Sequence, residues 1–168
     1  MKTKLLGQGK RNKRFSDWHE FPDLLIPMLG IKVAVIVDGE EDPNEIDQVV
    51  ANILKLNGKD RIILQGHLYK NYQATVKAIG QEDAGCEIER ETEVWNHCAL
   101  PSLRLTRRPY GNLKLYAQFA GGCDWEEEHG LTVSYLEGAI LARVSQHDGH
   151  LTYTDAYDVP EAQDRIDG

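Results

Sequence analysis

Residues 113–144 read LKLYAQFAGGCDWEEEHGLTVSYLEGAILARV, three apolar runs separated by one acidic loop and one tight turn. The first run, residues 113–119, alternates large apolar and other side chains, the period of a strand with one buried face. The later runs, 131–136 and 139–145, are joined by a Glu-Gly turn and also read as strands. The stretch therefore predicts antiparallel strands arranged around the loop 123–130.

The pattern continues on both sides of this stretch. Ser102–Arg107 alternates with its leucines on one side, and a turn at residues 109–112 joins it to the next run. The C-terminal half is therefore expected to be an antiparallel meander of four strands. A last strand is predicted at residues 151–154, after the Asp148-Gly149 turn.

Two amphipathic helices are predicted before the meander. Asp42 and Pro43 form a typical helix start, and the first helix carries an apolar stripe of Ile46, Val49, Val50, Ile53 and Leu54. Asn57-Gly58 ends it, and a second helix from Lys59 to Ile79 follows at once, which predicts an αα-hairpin. Its expected buried face consists of Ile62, Leu68, Tyr69, Tyr72, Val76 and Ile79.

The remaining elements complete the fold class. Ile31–Val37 is a β-branched run that predicts a strand, with Leu24–Met28 as its hairpin partner. Residues 88–97 are expected to form a short helix. The sequence thus predicts an α+β fold with N-terminal strands, an αα-hairpin and a C-terminal antiparallel β-meander covered on one face by the helices.

Charge is distributed unevenly along the chain. The formal net charge is −8, but residues 1–14 contain six basic residues and no acid. Removing those six from the 19 basic residues leaves 13 against 27 acids, so the rest of the chain carries −14. We expect a basic flexible arm at 1–14, one α+β domain at 15–157 and an acidic frayed tail at 158–168.

Composition limits the classes of protein that fit. A strongly acidic body argues against a nucleic-acid binder, except through residues 1–14. No apolar run approaches the ~20 residues of a membrane helix, and three widely spaced cysteines do not form a disulfide framework. We therefore expect a cytoplasmic protein with no membrane partner, whose oligomeric state the sequence leaves open.

The acidic loop could hold a divalent cation. Asp124, Glu126, Glu128 and His129 offer oxygen and nitrogen ligands. The run lacks the ligand alternation of known calcium loops, and neighbouring carboxylates point in different directions. A metal site, or a metal-dependent enzyme, is therefore the alternative rather than the leading interpretation.

The leading interpretation of the loop is structural. Cys123 and Trp125 alternate with acids and can face inward, while Gly130 can supply a positive φ where the chain re-enters the sheet. Glu128 and His129 complete this signature, His129 as a group that fixes the turn. The chain carries no recognised catalytic or phosphate-binding motif, so we assign no catalytic residue and no cofactor.

The loop resembles a signature in a widespread, uncharacterised bacterial family, Cys-x-Trp-(Asp/Glu)-x-Glu-His-Gly-Leu between two strands. The matching positions are Cys123, Trp125, Glu126, Glu128, His129, Gly130 and Leu131, followed by Gly138. The resemblance covers about Trp18 to Val144. It implies a small stand-alone protein similar to the immunity proteins of toxin systems, and it implies no established activity.

These observations favour a non-enzymatic binding protein. We expect an immunity-type inhibitor that neutralises a cognate toxin by covering its active site with an acidic surface. Asp124, Glu126 and Glu127 are the candidate partner-binding residues. The partner would be a protein that is basic around its active site, because opposite charges speed association.

Overall fold

A computed structural model describes residues 1–167. The strands β1, Lys2–Thr3, and β2, Gly7–Gln8, form a small separate hairpin. The remaining strands form one seven-stranded sheet in chain order: β3 Lys10–Arg11, β4 Trp18–Ile26, β5 Ile31–Asp38, β6 Cys98–Arg107, β7 Leu115–Cys123, β8 Leu131–Leu136 and β9 Ile140–Gln146. The predicted α+β class and the largely antiparallel sheet are confirmed.

One pairing within the sheet is parallel, that of β5 with β6. The other neighbours are antiparallel. A parallel pair needs a long crossover connection. Here the crossover contains α1, Pro43–Ile53, α2, Gly58–Ile79, and a 3₁₀ helix at Glu91–Asn96. The meander predicted for the C-terminal half is therefore continuous with the N-terminal strands.

The first helix follows its sequence pattern. The side chain of Asp42 accepts a hydrogen bond from the backbone N–H of Asn44 at 2.9 Å, and Pro43 occupies the first turn. The predicted stripe is buried, with Ile46, Val49, Val50 and Ile53 inside the core.

The second helix buries only part of its predicted face, Leu68 and Tyr72. Its buried residues are Leu64, Leu68 and Tyr72, which are four residues apart. Ile62 and Ile79, expected inside, are 65% and 48% exposed, so that part of the prediction is wrong. Helix α2 has apolar residues on several sides, so the elements that contact it decide which side is buried. The 3₁₀ helix and β9 contact α2, whereas β7 contacts α1. Helix-on-helix packing of an αα-hairpin is not confirmed.

The apolar face of the sheet carries an in-register row across five strands. The row consists of Val35, Leu103, Phe119, Val133 and Val144. All five side chains are buried, and the buried residues of both helices belong to the same hydrophobic cluster. Burial of this area is the main favourable free-energy contribution to folding.

The opposite face of the sheet is polar. Side chains alternate along each strand, so the second face presents the row Lys10, Glu20, Ile36, Arg104, Gln118, Ser134 and Arg143. The C-terminal strap, residues 147–167, covers the end of this row nearest β9. The carbonyl oxygen of His150 accepts hydrogen bonds from Gln118 and Arg143. Gln118 and Arg143, at this end of the row, are therefore buried and hydrogen-bonded.

The strap contains a helix where a strand was expected. Residues 151–154 do not form the predicted strand; α3 begins at Tyr153 and ends at Tyr157. Thr152 caps it by accepting a hydrogen bond from the N–H of Asp155. This N-cap favours a helix from Tyr153 onward, so these residues do not pair with the sheet.

Both ends of the described chain make specific contacts. In residues 1–14, expected as a flexible arm, Leu6 is buried, and the backbone N–H groups of Lys4 and Leu5 donate to Asp47. In residues 158–167, expected as a frayed tail, Asp167 lies beside Val144 of β9. Gly168 lies outside the described residues. Within residues 1–167, none of the helices combines the length and the apolar character needed to cross a membrane.

Candidate functional site

The acidic loop between β7 and β8 is anchored to α2 by Trp125. Its indole Nε1 donates a hydrogen bond to Asn71 Oδ1 at 2.9 Å, and its ring meets Tyr72 edge-on with centroids 6.0 Å apart. Trp125 and Cys123 are both buried. A buried tryptophan contributes a large apolar area, and its N–H needs a partner. The structure therefore places these two signature residues in the core.

The second half of the loop is held by its own polar groups. Glu126 Oε1 accepts a hydrogen bond from the backbone N–H of His129 at 3.3 Å and lies 3.1 Å from His129 Nδ1. Gly130 donates its N–H to the carbonyl of Glu126 and has φ +70°. A Cβ on Gly130 would lie 2.4 Å from the carbonyl oxygen of Gly121. This position requires glycine for both conformation and space.

The other acids of the loop point outward. Asp124 is exposed and its Oδ2 lies 3.0 Å from His97 Nδ1. Glu127 and Glu128 are exposed. Of the partner-binding candidates, Asp124 and Glu127 thus face solvent, whereas Glu126 is engaged within the loop.

The candidate metal ligands of the loop are not gathered into one cluster. Across residues 1–167, no group of three or more histidine, cysteine, aspartate and glutamate side chains is arranged to hold a metal ion. Of the four candidate ligands, Glu126 pairs with His129, Asp124 pairs with His97, and Glu128 is exposed.

The two thiols beside the loop, those of Cys98 and Cys123, are protonated near neutral pH. Cys98 lies opposite Cys123 in the pairing of β6 with β7, and both are free. Burial raises the pKa of each thiol to about 12. Because the thiolate is the reactive form, neither cysteine is set up as a nucleophile near neutral pH.

A second acidic segment lies against the loop. A Cβ on Gly85 would lie 2.5 Å from the carbonyl oxygen of Asp124, so the two segments touch. Together they expose what we call the acidic surface: Glu82, Asp83, Glu87, Glu89, Asp124, Glu127 and Glu128. No local pattern in the sequence indicates this contact, although glutamate recurs from residue 87 onward.

A cavity of about 790 Å³ lies between the C-terminal strap and the polar face of the sheet. Arg104 and Gln118, opposite each other on β6 and β7, are among its lining residues. The guanidinium of Arg104 is bonded to Asp38 through Nη2 and lies 4.8 Å from the ring of Trp18. Gln118 Nε2 donates to Ser134 and to the carbonyl of His150, each at 3.3 Å.

Arg108 connects the sheet to the outer wall of this cavity. It is buried and donates to Asp155, Glu161 and Thr154. Hydrogen bonds to Asp155 raise the pKa of Arg108 well above its usual value. Burial opposes the charge of Asp155, but the bonds from Arg108 outweigh it and the pKa of Asp155 is lowered. The pair is therefore ionised at neutral pH.

Residues 6–151 match the model of a family described as a domain of unknown function, DUF6985. The chain belongs to the DUF6985 family. No curated protein and no solved structure matches it. Membership in an uncharacterised family is thereby confirmed, whereas a bacterial source, the loop signature and the likeness to immunity proteins stay predictions.

The DUF6985 match contains the whole acidic surface but only part of the cavity. The acidic surface lies entirely within the matched residues, as do Arg104 and Gln118 of the cavity. The outer wall of the cavity, which includes Thr154, Asp155 and Glu161, lies beyond the match. The shape of the cavity therefore depends on residues outside the matched DUF6985 segment.

Proposed function

We propose that this protein is a non-enzymatic binding protein, an immunity-type inhibitor that neutralises a cognate toxin through its acidic surface. The observation that carries the proposal is the contact of segment 82–89 with loop 123–130, two segments that together contain seven exposed carboxylates. The contact of Gly85 with Asp124 joins two acidic segments that are separate in sequence. Such a surface complements basic groups around the active site of a partner protein.

The electrostatics suit fast capture of that partner. The chain carries a net charge of −8, and a concentration of one sign of charge steers an oppositely charged protein before contact. At physiological ionic strength, screening acts over about 8 Å. Steering therefore acts at short range, where the exposed carboxylates of the acidic surface approach the partner.

The mechanism of inhibition would be occlusion. Glu127 and Glu128 would meet arginine or lysine side chains that normally hold the toxin's substrate. If the toxin cleaves nucleic acid, the carboxylates would occupy phosphate positions. The Trp125 anchor and the Gly130 turn hold the loop in one conformation, so little entropy is lost on binding.

The proposal is tested by co-expression and by binding kinetics. The protein is expressed with each product of its neighbouring open reading frames, and we expect one of them to be toxic alone and harmless in a one-to-one complex. The association rate should fall roughly tenfold or more from low to high salt. A rate independent of salt, or no partner that the protein protects against, would contradict the proposal.

A matched pair of variants localises the interface. Glu127→Gln/Glu128→Gln removes two charges from the acidic surface, and Asp23→Asn/Asp158→Asn removes two exposed charges elsewhere. We expect only the first variant to slow association. Equal slowing by both variants would show an effect of net charge and would place the interface elsewhere.

A further inference from the structure

The cavity under the C-terminal strap has no part in the function proposed above. It shares no residue with the acidic surface. Its volume of about 790 Å³ falls within the range of pockets that bind small molecules. The groups that line it define the kind of molecule it suits.

The arginines around the cavity are already neutralised by carboxylates. Arg104 pairs with Asp38, Arg107 with Glu41 and Glu45, and Arg108 with Asp155 and Glu161. These pairs set five carboxylates against three guanidinium groups, so they offer hydrogen-bond donors and acceptors with no excess of positive charge for an anion. A charged ligand would have to displace one partner of a pair, at the cost of leaving the other uncompensated. The walls therefore favour a neutral polar ligand.

Two polar groups beside the cavity keep bonding capacity. Arg104 donates through Nη2 alone within residues 1–167, which leaves its Nη1 as a donor. Gln118 is 3% exposed and uses only its amide nitrogen, which leaves its Oε1 as an acceptor. These residues are neighbours across β6 and β7, so a donor and an acceptor stand side by side. A hydroxyl group serves both, because it donates and accepts.

An aromatic ring stands at the mouth of the cavity. Tyr110 lines it and is 73% exposed. Its ring offers a flat apolar surface beside the polar walls. A molecule with hydroxyl groups along its edge and C–H groups on its face fits this combination.

From these observations we infer that the cavity binds a neutral, hydroxyl-rich small molecule of the sugar class. Arg104 Nη1 donates to a ligand oxygen, and Gln118 Oε1 accepts from a ligand hydroxyl. The ring of Tyr110 covers the apolar face of the ligand. Thr154 and Asp155, from outside the residues that match the family, close the outer side.

The test is calorimetry on the full chain with a defined set of probes. The neutral probes are glucose, galactose, N-acetylglucosamine, ribose and trehalose; the charged probes are inorganic phosphate, acetate and lysine. We expect saturable binding of at least one sugar and none of the charged probes. No saturable binding of any sugar, or binding of a charged probe alone, would overturn the assignment.

Variants then place the ligand. Tyr110→Ala should weaken sugar binding about tenfold, whereas Tyr157→Ala, which removes another exposed ring of the strap region outside this cavity, should leave it unchanged. Gln118→Leu should abolish binding. If Gln118→Leu does not fold, Tyr110→Ala still tests sugar binding at this cavity. The Tyr110 side chain is mostly exposed, so its removal should leave the fold intact. Equal binding by wild type and Tyr110→Ala would overturn the placement.

Discussion

Arg108 and Asp155 form a two-bond ion pair, with Asp155 accepting from Nε at 2.8 Å and from Nη2 at 2.7 Å. The two residues are 47 positions apart in sequence. Arg108 directly follows β6, and Asp155 lies in α3 of the C-terminal strap. The pair therefore fixes the strap against the sheet and holds the outer wall of the cavity in place.

Removing Arg108 should destabilise the protein. Arg108→Leu leaves the half-buried Asp155 carboxylate without its partner, and loss of one member of a buried pair costs about 3 kcal/mol or more. Urea unfolding followed by circular dichroism measures the free energy of unfolding. Arg11→Leu is the matched control, because Arg11 and its partner Glu40 are both more than half exposed and the loss should cost about 1 kcal/mol or less. Equal losses would contradict the anchoring role of Arg108.

Acid should weaken the attachment of the C-terminal strap to the sheet and lower the free energy of unfolding. Burial opposes the charges of Asp148 and Asp155, but hydrogen bonds from Arg143 and Arg108 prevail, and both pKa values are lowered. A carboxyl whose folded pKa is lowered stabilises the fold above its unfolded pKa, about 3.9. That stability is lost as the pH falls through the folded pKa.

The free energy of unfolding, measured by urea titration from about pH 7 to about pH 2, checks this sign. Asp148→Asn should be less stable than wild type at neutral pH, and the two curves should converge in acid. Asp23→Asn, which removes an exposed carboxylate, should follow wild type throughout. A constant gap between Asp148→Asn and wild type down to about pH 2 would exclude the ion-pair explanation.

Two tryptophans provide a matched test of the loop anchor. Trp125→Phe removes the N–H that bonds Asn71 and also creates space in the core, so we expect a loss of about 1–3 kcal/mol in the free energy of unfolding. Within residues 1–167, Trp95 Nε1 is buried and has no hydrogen-bond partner. Trp95→Phe should therefore cost clearly less. Thermal unfolding of both variants measures the difference, and a larger loss for Trp95→Phe would contradict the anchor.

Alanine variants of two glycines distinguish the cost of backbone strain from the cost of a steric clash. Gly130 and Gly149 both have positive φ, +70° and +84°. An added Cβ at Gly130 would lie 2.4 Å from the carbonyl oxygen of Gly121, whereas at Gly149 it would meet no atom of the described residues within 4 Å. Gly149→Ala should cost about 1 kcal/mol from the backbone conformation, and Gly130→Ala about 2 kcal/mol or more. Equal stability of the two variants would show that the loop yields to the added carbon.

Local patterns in the sequence predicted the elements with one buried face. The alternation in residues 102–107 and the cap at Asp42 act within a few residues, and the structure contains the corresponding strand and helix. For the second helix, Leu68 and Tyr72 were correctly predicted as buried, but Ile62 was expected inside in place of Leu64, because both are apolar and only their neighbours select between them. Burial by tertiary contacts outweighs local periodicity there.

The acidic surface and the cavity could not be predicted from the sequence, because each arises from a contact between residues far apart in the chain. The acidic surface arises where Gly85 meets Asp124, and the cavity arises where Arg108 holds Asp155. The row containing Arg104 and Gln118 depends on strand register, and a shift of one residue would turn its side chains to the other face. The short strands of residues 1–14 lack the apolar alternation of buried strands, so their charge alone suggested a solvated arm.

The position of Asp167 has a consequence for self-association. The backbone N–H of Val144 donates to Ile166, and Asp167 bridges to Val144, so the end of the chain occupies part of the outer edge of β9. At the other edge, Lys10–Arg11 covers part of β4, and a bulge beside Pro22 interrupts the rest. An open edge is a template on which another chain can add a strand. Both margins of this sheet are thus protected against fibre-like growth, one of them by the last residues of the chain that the structure describes.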